Sequence, residues 1–168
     1  RVIKLIVYNE KKYKENNTIR IIIPNIIKDI PLFVIFRCLG IQSDKEILEY
    51  ICYDLNDEKS KLFMEFLRPS IEDVGPIFSQ DDAQNYLKTL TLGNTHSHLI
   101  DILNSDVFPH VGDNFNYKAY YLGYVVNKLL HVQFNIFRPT DRDSFVFKRV
   151  DLSGFLLASL FRESFKQF

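Results

Sequence analysis

The sequence predicts an α+β fold, mainly helical, with a small antiparallel sheet near the N-terminus. Three observations predict it. A β-branched run closed by Pro24 follows an apolar run and a polar turn at the start of the chain. Helix-start signals then recur from Asp29 to Thr95. Finally, a long apolar segment at helical spacing occupies residues 117–130.

Taken in order, residues 2–8 are mostly apolar, 11–17 form a polar turn and 18–23 supply the β-branched run, which together read as a hairpin or sheet edge. Asp29 precedes Pro31, a suitable first-turn proline, and the apolar stretch 32–39 stops at Gly40, which predicts a short, buried helix. Ser43-Asp44-Lys45-Glu46 has capping-box spacing and predicts a helix over 44–54. A further helix is expected over 58–67, ended by Pro69. Ser79 with Asp82 repeats the cap logic before a helix running to Gly93, and Thr95 caps another through Leu103. Residues 117–130 are apolar on most sides and should form the central helix. Leu157, Phe161, Phe165 and Phe168 fall at helical spacing, so the last helix is expected to pack by an aromatic stripe.

The chain has 168 residues, 46% of them hydrophobic, which suits one domain over 1–168. It begins at Arg1 without Met and ends at Phe168 inside a predicted helix, so a piece of a longer protein is expected. No apolar run approaches the roughly 20 residues that cross a bilayer, and no membrane partner is expected. Cys38 and Cys52 are too few for a disulfide framework or a zinc site, and suit a reducing compartment as buried thiols. The abundance of Ile, Asn, Lys, Phe and Tyr resembles an AT-rich genome, such as that of many large DNA viruses and some protists.

Net charge is zero, which argues against coating nucleic acid through bulk charge. Residues 1–37 nevertheless carry eight basic and three acidic side chains, 38–82 carry four and eleven, 83–137 carry three of each, and 138–168 carry six and four. If nucleic acid touches the domain, the acidic stretch should face away.

The densest chemical cluster is Asp141-Arg142-Asp143, followed by Lys148-Arg149 and Asp151. Two carboxylates two residues apart could hold Mg²⁺, although Arg142 would compete for them. The alternatives are a nucleic-acid or partner contact and a solvated loop with local ion pairs. His96 and His98, two apart in a predicted helix, point in different directions and do not suit one metal. Ser153-Gly154 lacks the first glycine of a nucleophile elbow, and there is no glycine-rich phosphate loop. These residues read as a binding or scaffolding domain, with no catalytic residue and no cofactor expected in the chain.

Three stretches together resemble the second-largest subunit of multisubunit DNA-directed RNA polymerases, of the eukaryotic, archaeal and large-DNA-virus type, in its lobe domain. The first is Asp29-Ile30-Pro31-Leu32-Phe33-Val34-Ile35-Phe36-Arg37-Cys38-Leu39-Gly40-Ile41, continuing through Ser43-Asp44-Lys45-Glu46-Ile47 to Tyr50-Ile51-Cys52-Tyr53-Asp54. The second is Phe108-Pro109-His110 with Lys118-Ala119-Tyr120-Tyr121-Leu122-Gly123-Tyr124, and the third is Asp141-Arg142-Asp143 with Lys148-Arg149-Val150-Asp151-Leu152 and Gly154. Where the family pattern has His, Gly and Asn between Asp143 and Lys148, this chain has Ser144, Val146 and Phe147. Val at a position needing positive φ would be strained, so a longer or differently bent loop is expected.

The resemblance implies a mainly helical lobe that forms one side of the cleft receiving downstream DNA. It implies that the catalytic Mg²⁺ of the parent complex is held mainly by the largest subunit, outside this chain. Arg142, Asp143, Lys148 and Arg149 match a segment near the downstream edge of the melted bubble and are the implied nucleic-acid contacts; Asp143 would accept hydrogen bonds from an unstacked base or pair with Arg142. The basic turn Lys11 to Lys14 is a weaker candidate. Implied partners are the other polymerase subunits, especially the largest, downstream DNA, and initiation factors docked on the outer surface, where the acidic span from Asp44 to Asp82 would suit a basic partner. The implied location is the nucleus for a cellular eukaryote, and host cytoplasm or virion for a virus. The competing reading is a free-standing protein-interaction module without a DNA role.

Overall fold

A computed structural model of the chain describes residues 3–8, 17–141 and 143–167. The β-branched content of the first segments makes a three-stranded antiparallel sheet in the order β1 (Lys4–Tyr8), β2 (Thr18–Ile22), β3 (Ile30–Pro31). Leu5 pairs with Ile21 and Val7 with Ile19. Ile19 and Ile21 are buried while Arg20 and Ile22 are half-buried, the alternation of a strand with one face on a core. The turn expected over 11–17 lies largely outside the described residues.

Seven α-helices are found among the described residues: α1 (Leu32–Cys38), α2 (Asp44–Cys52), α3 (Glu58–Glu72), α4 (Gln80–Leu90), α5 (His96–Ser105), α6 (Phe115–Gln133) and α7 (Ser153–Lys166). Every residue of α1 is buried, as its apolar run over 32–36 requires, and even Arg37 is enclosed. Its guanidinium donates to the Ile77 carbonyl and the Asp44 carboxylate and lies 5.5 Å from the centre of the Phe78 ring. This ties α1 to the start of α2 and to the segment before α4.

Two cap signals act as expected: Ser79 Oγ accepts from the Asp82 amide at 3.1 Å and Thr95 Oγ1 from the His98 amide at 3.4 Å. Ser43 does not, since α2 starts without a side-chain cap, so the capping box read at Ser43 and Glu46 is not formed. Asp44 instead turns to Arg37. Nor does Pro69 end α3, which continues to Glu72. The extra turn is held by β2: Ser70 Oγ accepts from the Ile19 amide at 2.9 Å and Asp73 meets Arg20 at 2.6 Å. These tertiary bonds offset the hydrogen bond that proline removes.

The long helix α6 buries Lys118, Ala119, Leu122, Gly123, Val126 and Leu130 along one face, leaving Tyr117, Tyr120 and Tyr124 exposed. It packs mainly on α2 and its other face is open, so the central, enclosed position expected of this segment is taken instead by α1, which touches α2, α3, α4, β2 and β3. Buried Lys118 Nζ donates to the carbonyls of Leu103 at 2.6 Å and Asn104 at 3.0 Å, satisfying acceptors that the end of α5 leaves without helical partners. Burial pushes its pKa down, with Asp113 opposing.

The last helix departs most from expectation. Helix α7 forms, but none of its described residues is buried; Phe155, Leu157, Phe161 and Phe165 remain exposed. The described part of its aromatic stripe therefore stays in solvent, and Phe161 stacks along the helix on Phe165 at 6.1 Å.

Candidate nucleic-acid interface

After α6 the chain is turned by its own backbone, with the amides of Ile136 and Phe137 both donating to the His131 carbonyl and Asn135 at φ 57°. The Phe137 ring stacks on His131 at 4.8 Å. Arg138, Pro139 and Thr140 then run along a groove lined by Ile3, Leu5, Val125 and Leu129 and deliver the chain to Asp141.

From Asp141 the loop is organised by short polar side chains. Asp141 Oδ1 accepts from the Asp143 amide at 2.9 Å, an Asx turn, and the Asp141 carbonyl accepts from the Ser144 amide at 3.2 Å. Ser144 Oγ accepts from the Val146 amide at 3.4 Å and opens a single 3₁₀ turn, Phe145–Phe147. A serine-capped turn thus stands where a glycine turn would require positive φ, and Val146 is not among the positive-φ residues. Val146 is thus spared the strain that a positive φ would impose on it.

This turn brings Lys148 Nζ to 3.6 Å from Asp143 Oδ1 and 5.8 Å from the centre of the Phe145 ring. Arg142 lies outside the described residues, as does the Lys11 to Lys14 turn. The Asp143–Lys148 pair is solvent-exposed on both sides, so it is worth little and is screened by salt. Lys148 can exchange this carboxylate for a phosphate oxygen at small cost. Arg149 follows, also exposed, and Phe145, Val146 and Phe147 project at 85%, 86% and 64% exposure. Neither the pairing across the turn nor the capping role of Ser144 was legible from the sequence.

Asp141 and Asp143 both have partners within the loop. Asp141 already spends an oxygen on the Asp143 amide, Lys148 sits on Asp143, and no group of three potential metal ligands occurs among the described residues. His96 and His98 go separate ways, His96 Nε2 to Gln84 at 2.9 Å and His98 against Gly93. Cys38 and Cys52 are buried and free, and burial raises their thiols to about 12 and about 11, far from nucleophilic at neutral pH. In the acidic span, Asp44 and Asp73 are tied to arginines while Glu46, Glu58 and Glu65 stand in solvent.

Residues 6–151 match the family described as RNA polymerase Rpb2, domain 2. The chain is 40% identical over 166 residues to DNA-directed RNA polymerase II subunit RPB2 of Meyerozyma guilliermondii, covering 94% of this chain and 13% of that protein. It is 40% identical over 158 residues to DNA-directed RNA polymerase II subunit 2 of Arabidopsis thaliana, covering 89% and 13%. It is 31% identical over 162 residues to DNA-directed RNA polymerase subunit Rpo2 of Saccharolobus shibatae, covering 92% and 14%. The chain thus spans about one seventh of the length of these curated relatives, all from cellular organisms. The matched span runs from β1 to the end of the basic loop and stops just before α7, and on it this chain belongs to the family of the second-largest RNA polymerase subunit, in its domain 2.

Proposed function

We propose that residues 1–168 serve as the non-catalytic lobe of the second-largest subunit of a DNA-directed RNA polymerase, walling one side of the DNA cleft and offering a docking surface for initiation factors. The observation that carries the DNA part is the exposed loop 141–151. Among the described residues Lys148 is held by a weak solvent-facing pair with Asp143 and a distant contact with the Phe145 ring, and Arg149 stands beside it. Both cations suit phosphate oxygens of downstream DNA. Asp143, once released by Lys148, has an acceptor for an unstacked base, and Arg142 adjoins it in sequence. The reaction's Mg²⁺ is held outside this chain, mainly by the largest subunit, which is the principal protein partner. Two of these relatives are eukaryotic RNA polymerase II subunits, which supports a nuclear location for the parent complex.

The apolar stripe of α7 supports membership of a larger body. A contiguous exposed apolar face of this kind marks a surface covered by protein. With only about one seventh of the relatives' length present, its cover is the remainder of the same subunit.

The test is the salt dependence of DNA binding by the assembled polymerase. Changing Lys148 and Arg149 to Ala is expected to weaken binding and lower the slope of log K against log salt by about one unit per lost phosphate contact. An unchanged slope with unchanged initiation would remove the DNA role.

A further inference from the structure

The packing of α2 on α6 leaves a group of tyrosines in solvent that the DNA-facing loop does not use. Tyr50, half-buried, stacks on Tyr120 with ring centres 4.3 Å apart and planes 22° from parallel. Tyr120, Tyr124 and Tyr53 are 55%, 43% and 59% exposed. Tyr53 ends α2 with φ 64° and ψ −54°, a conformation that bulky side chains rarely adopt. Such strain persists where the surrounding structure over-determines it, and it is concentrated at functional positions. Here it turns an aromatic side chain out beside α6.

The rings already attract cations: Lys128 Nζ lies 4.7 Å from the centre of the Tyr124 ring. Burial, the Tyr120 hydroxyl and the Glu46 carboxylate push the Tyr50 phenol up, and the negative charge around the rings comes from carboxylates. Those carboxylates are plentiful. Residues 44–58 contain Asp44, Glu46, Glu49, Asp54, Asp57 and Glu58 against the single cation Lys45. Lys45 holds Glu49 only by a solvent-exposed pair at 3.8 Å, which a competing cation displaces readily.

Flat aromatic faces framed by carboxylates suit planar guanidinium groups, which stack on the rings while donating to the acids. The same carboxylates repel phosphate, which excludes base stacking by nucleic acid despite the aromatics. We infer that Tyr50, Tyr53, Tyr120 and Tyr124, with Glu46 and Glu49, form a docking platform for an arginine-bearing segment of a partner protein. This deepens the docking-surface part of the function proposed above and is independent of its DNA-contacting loop.

The test titrates the 168-residue chain with fluorescein-labelled nona-arginine, nona-lysine and a thymidine 12-mer, read by fluorescence anisotropy at physiological salt. Nona-arginine is expected to bind more tightly than nona-lysine, and the thymidine 12-mer not to compete. Tyr53→Gly with Tyr120→Ala should weaken nona-arginine binding roughly tenfold. Tyr53→Phe with Tyr120→Phe, which keeps both rings and guards against misfolding, should bind within about twofold of the parent. Glu46→Gln with Glu49→Gln should also weaken it, and Lys148→Ala with Arg149→Ala should leave it unchanged. Equal binding by the ring-less variant, no preference for arginine over lysine, or displacement by the oligonucleotide would overturn the inference. Initiation-factor recruitment by a polymerase carrying the ring-less variant is the separate readout of the docking role. If recruitment falls while nona-arginine binding is unchanged, this platform is wrong and the docking role stands.

Discussion

The carbonyl of Tyr50 lies so close to Gly123 that a Cβ added there would sit 2.3 Å from the Tyr50 oxygen. Helices α2 and α6 meet backbone to backbone at this point. One turn along α6, Asn127 Nδ2 donates to the Ile51 carbonyl at 2.8 Å and closes the C-terminal end of α2. The glycine is thus required by close approach, and the stack of Tyr50 on Tyr120 depends on it. Gly123→Ala is expected to lower unfolding stability by about 1–3 kcal/mol, because the obstacle is rigid backbone. Its gain in helix propensity, roughly 1 kcal/mol, is too small to offset the clash. Urea unfolding measures the loss, and because the chain has no Trp, a change in tyrosine emission would report the disturbed stack.

Two serines with the same sequence signature should behave differently. Ser79 caps α4 through its hydroxyl, whereas Ser43 makes no such bond. Ser79→Ala should therefore cost about 1 kcal/mol, and Ser43→Ala only a small fraction of that. Equal losses in parallel urea titrations would contradict the assigned caps.

Lys118→Met should be costly although it keeps the volume and apolar stem. It leaves the Leu103 and Asn104 carbonyls without their buried donor, a penalty of about 1–3 kcal/mol. Faster hydrogen exchange at the C-terminal turn of α5, beyond any global change, would locate the damage.

Alkaline pH should destabilise the fold through its thiols. Burial raises Cys38 to about 12 and Cys52 to about 11, above their unfolded values near 9. Between those limits the folded chain holds protons that the unfolded chain releases. The stabilisation is complete below about pH 9 and is lost as pH rises through the folded pKa values. Each thiol adds a slope of at most about 1.4 kcal/mol per pH unit. Cys38→Ala should flatten the decline in unfolding free energy between pH 9 and 11, and native protein should react with a thiol reagent only as fast as it opens.

What was legible in the sequence was local or periodic. Ser79 and Thr95 announce helix starts because a short polar side chain answers amides three residues away. The run 32–39 announces a buried helix because nothing in it except Arg37 needs water. Pro69 misled because the extension of α3 is decided by Ser70 and Asp73 reaching β2, some fifty residues away. The stripe of α7 correctly predicted a helix, but periodicity states that a face wants cover and not which surface covers it. The basic loop stood out by its residues, while its geometry depended on a serine-capped turn that sets Lys148 on Asp143, a pairing across five positions that charge pattern alone does not specify. The tyrosine face of α6 was hidden for a similar reason, since an aromatic at helical spacing reads equally as core.

The central claim is that the loop 141–151 touches DNA in the assembled enzyme. A photo-reactive benzophenone side chain in place of exposed Val150 leaves Lys148 and Arg149 intact and probes their surroundings directly. In a polymerase engaged on a promoter, irradiation should cross-link this position to downstream DNA, and changing Lys148 and Arg149 to Ala should sharply reduce the yield. Cross-links to protein alone, or a DNA cross-link indifferent to the two cations, would contradict the account.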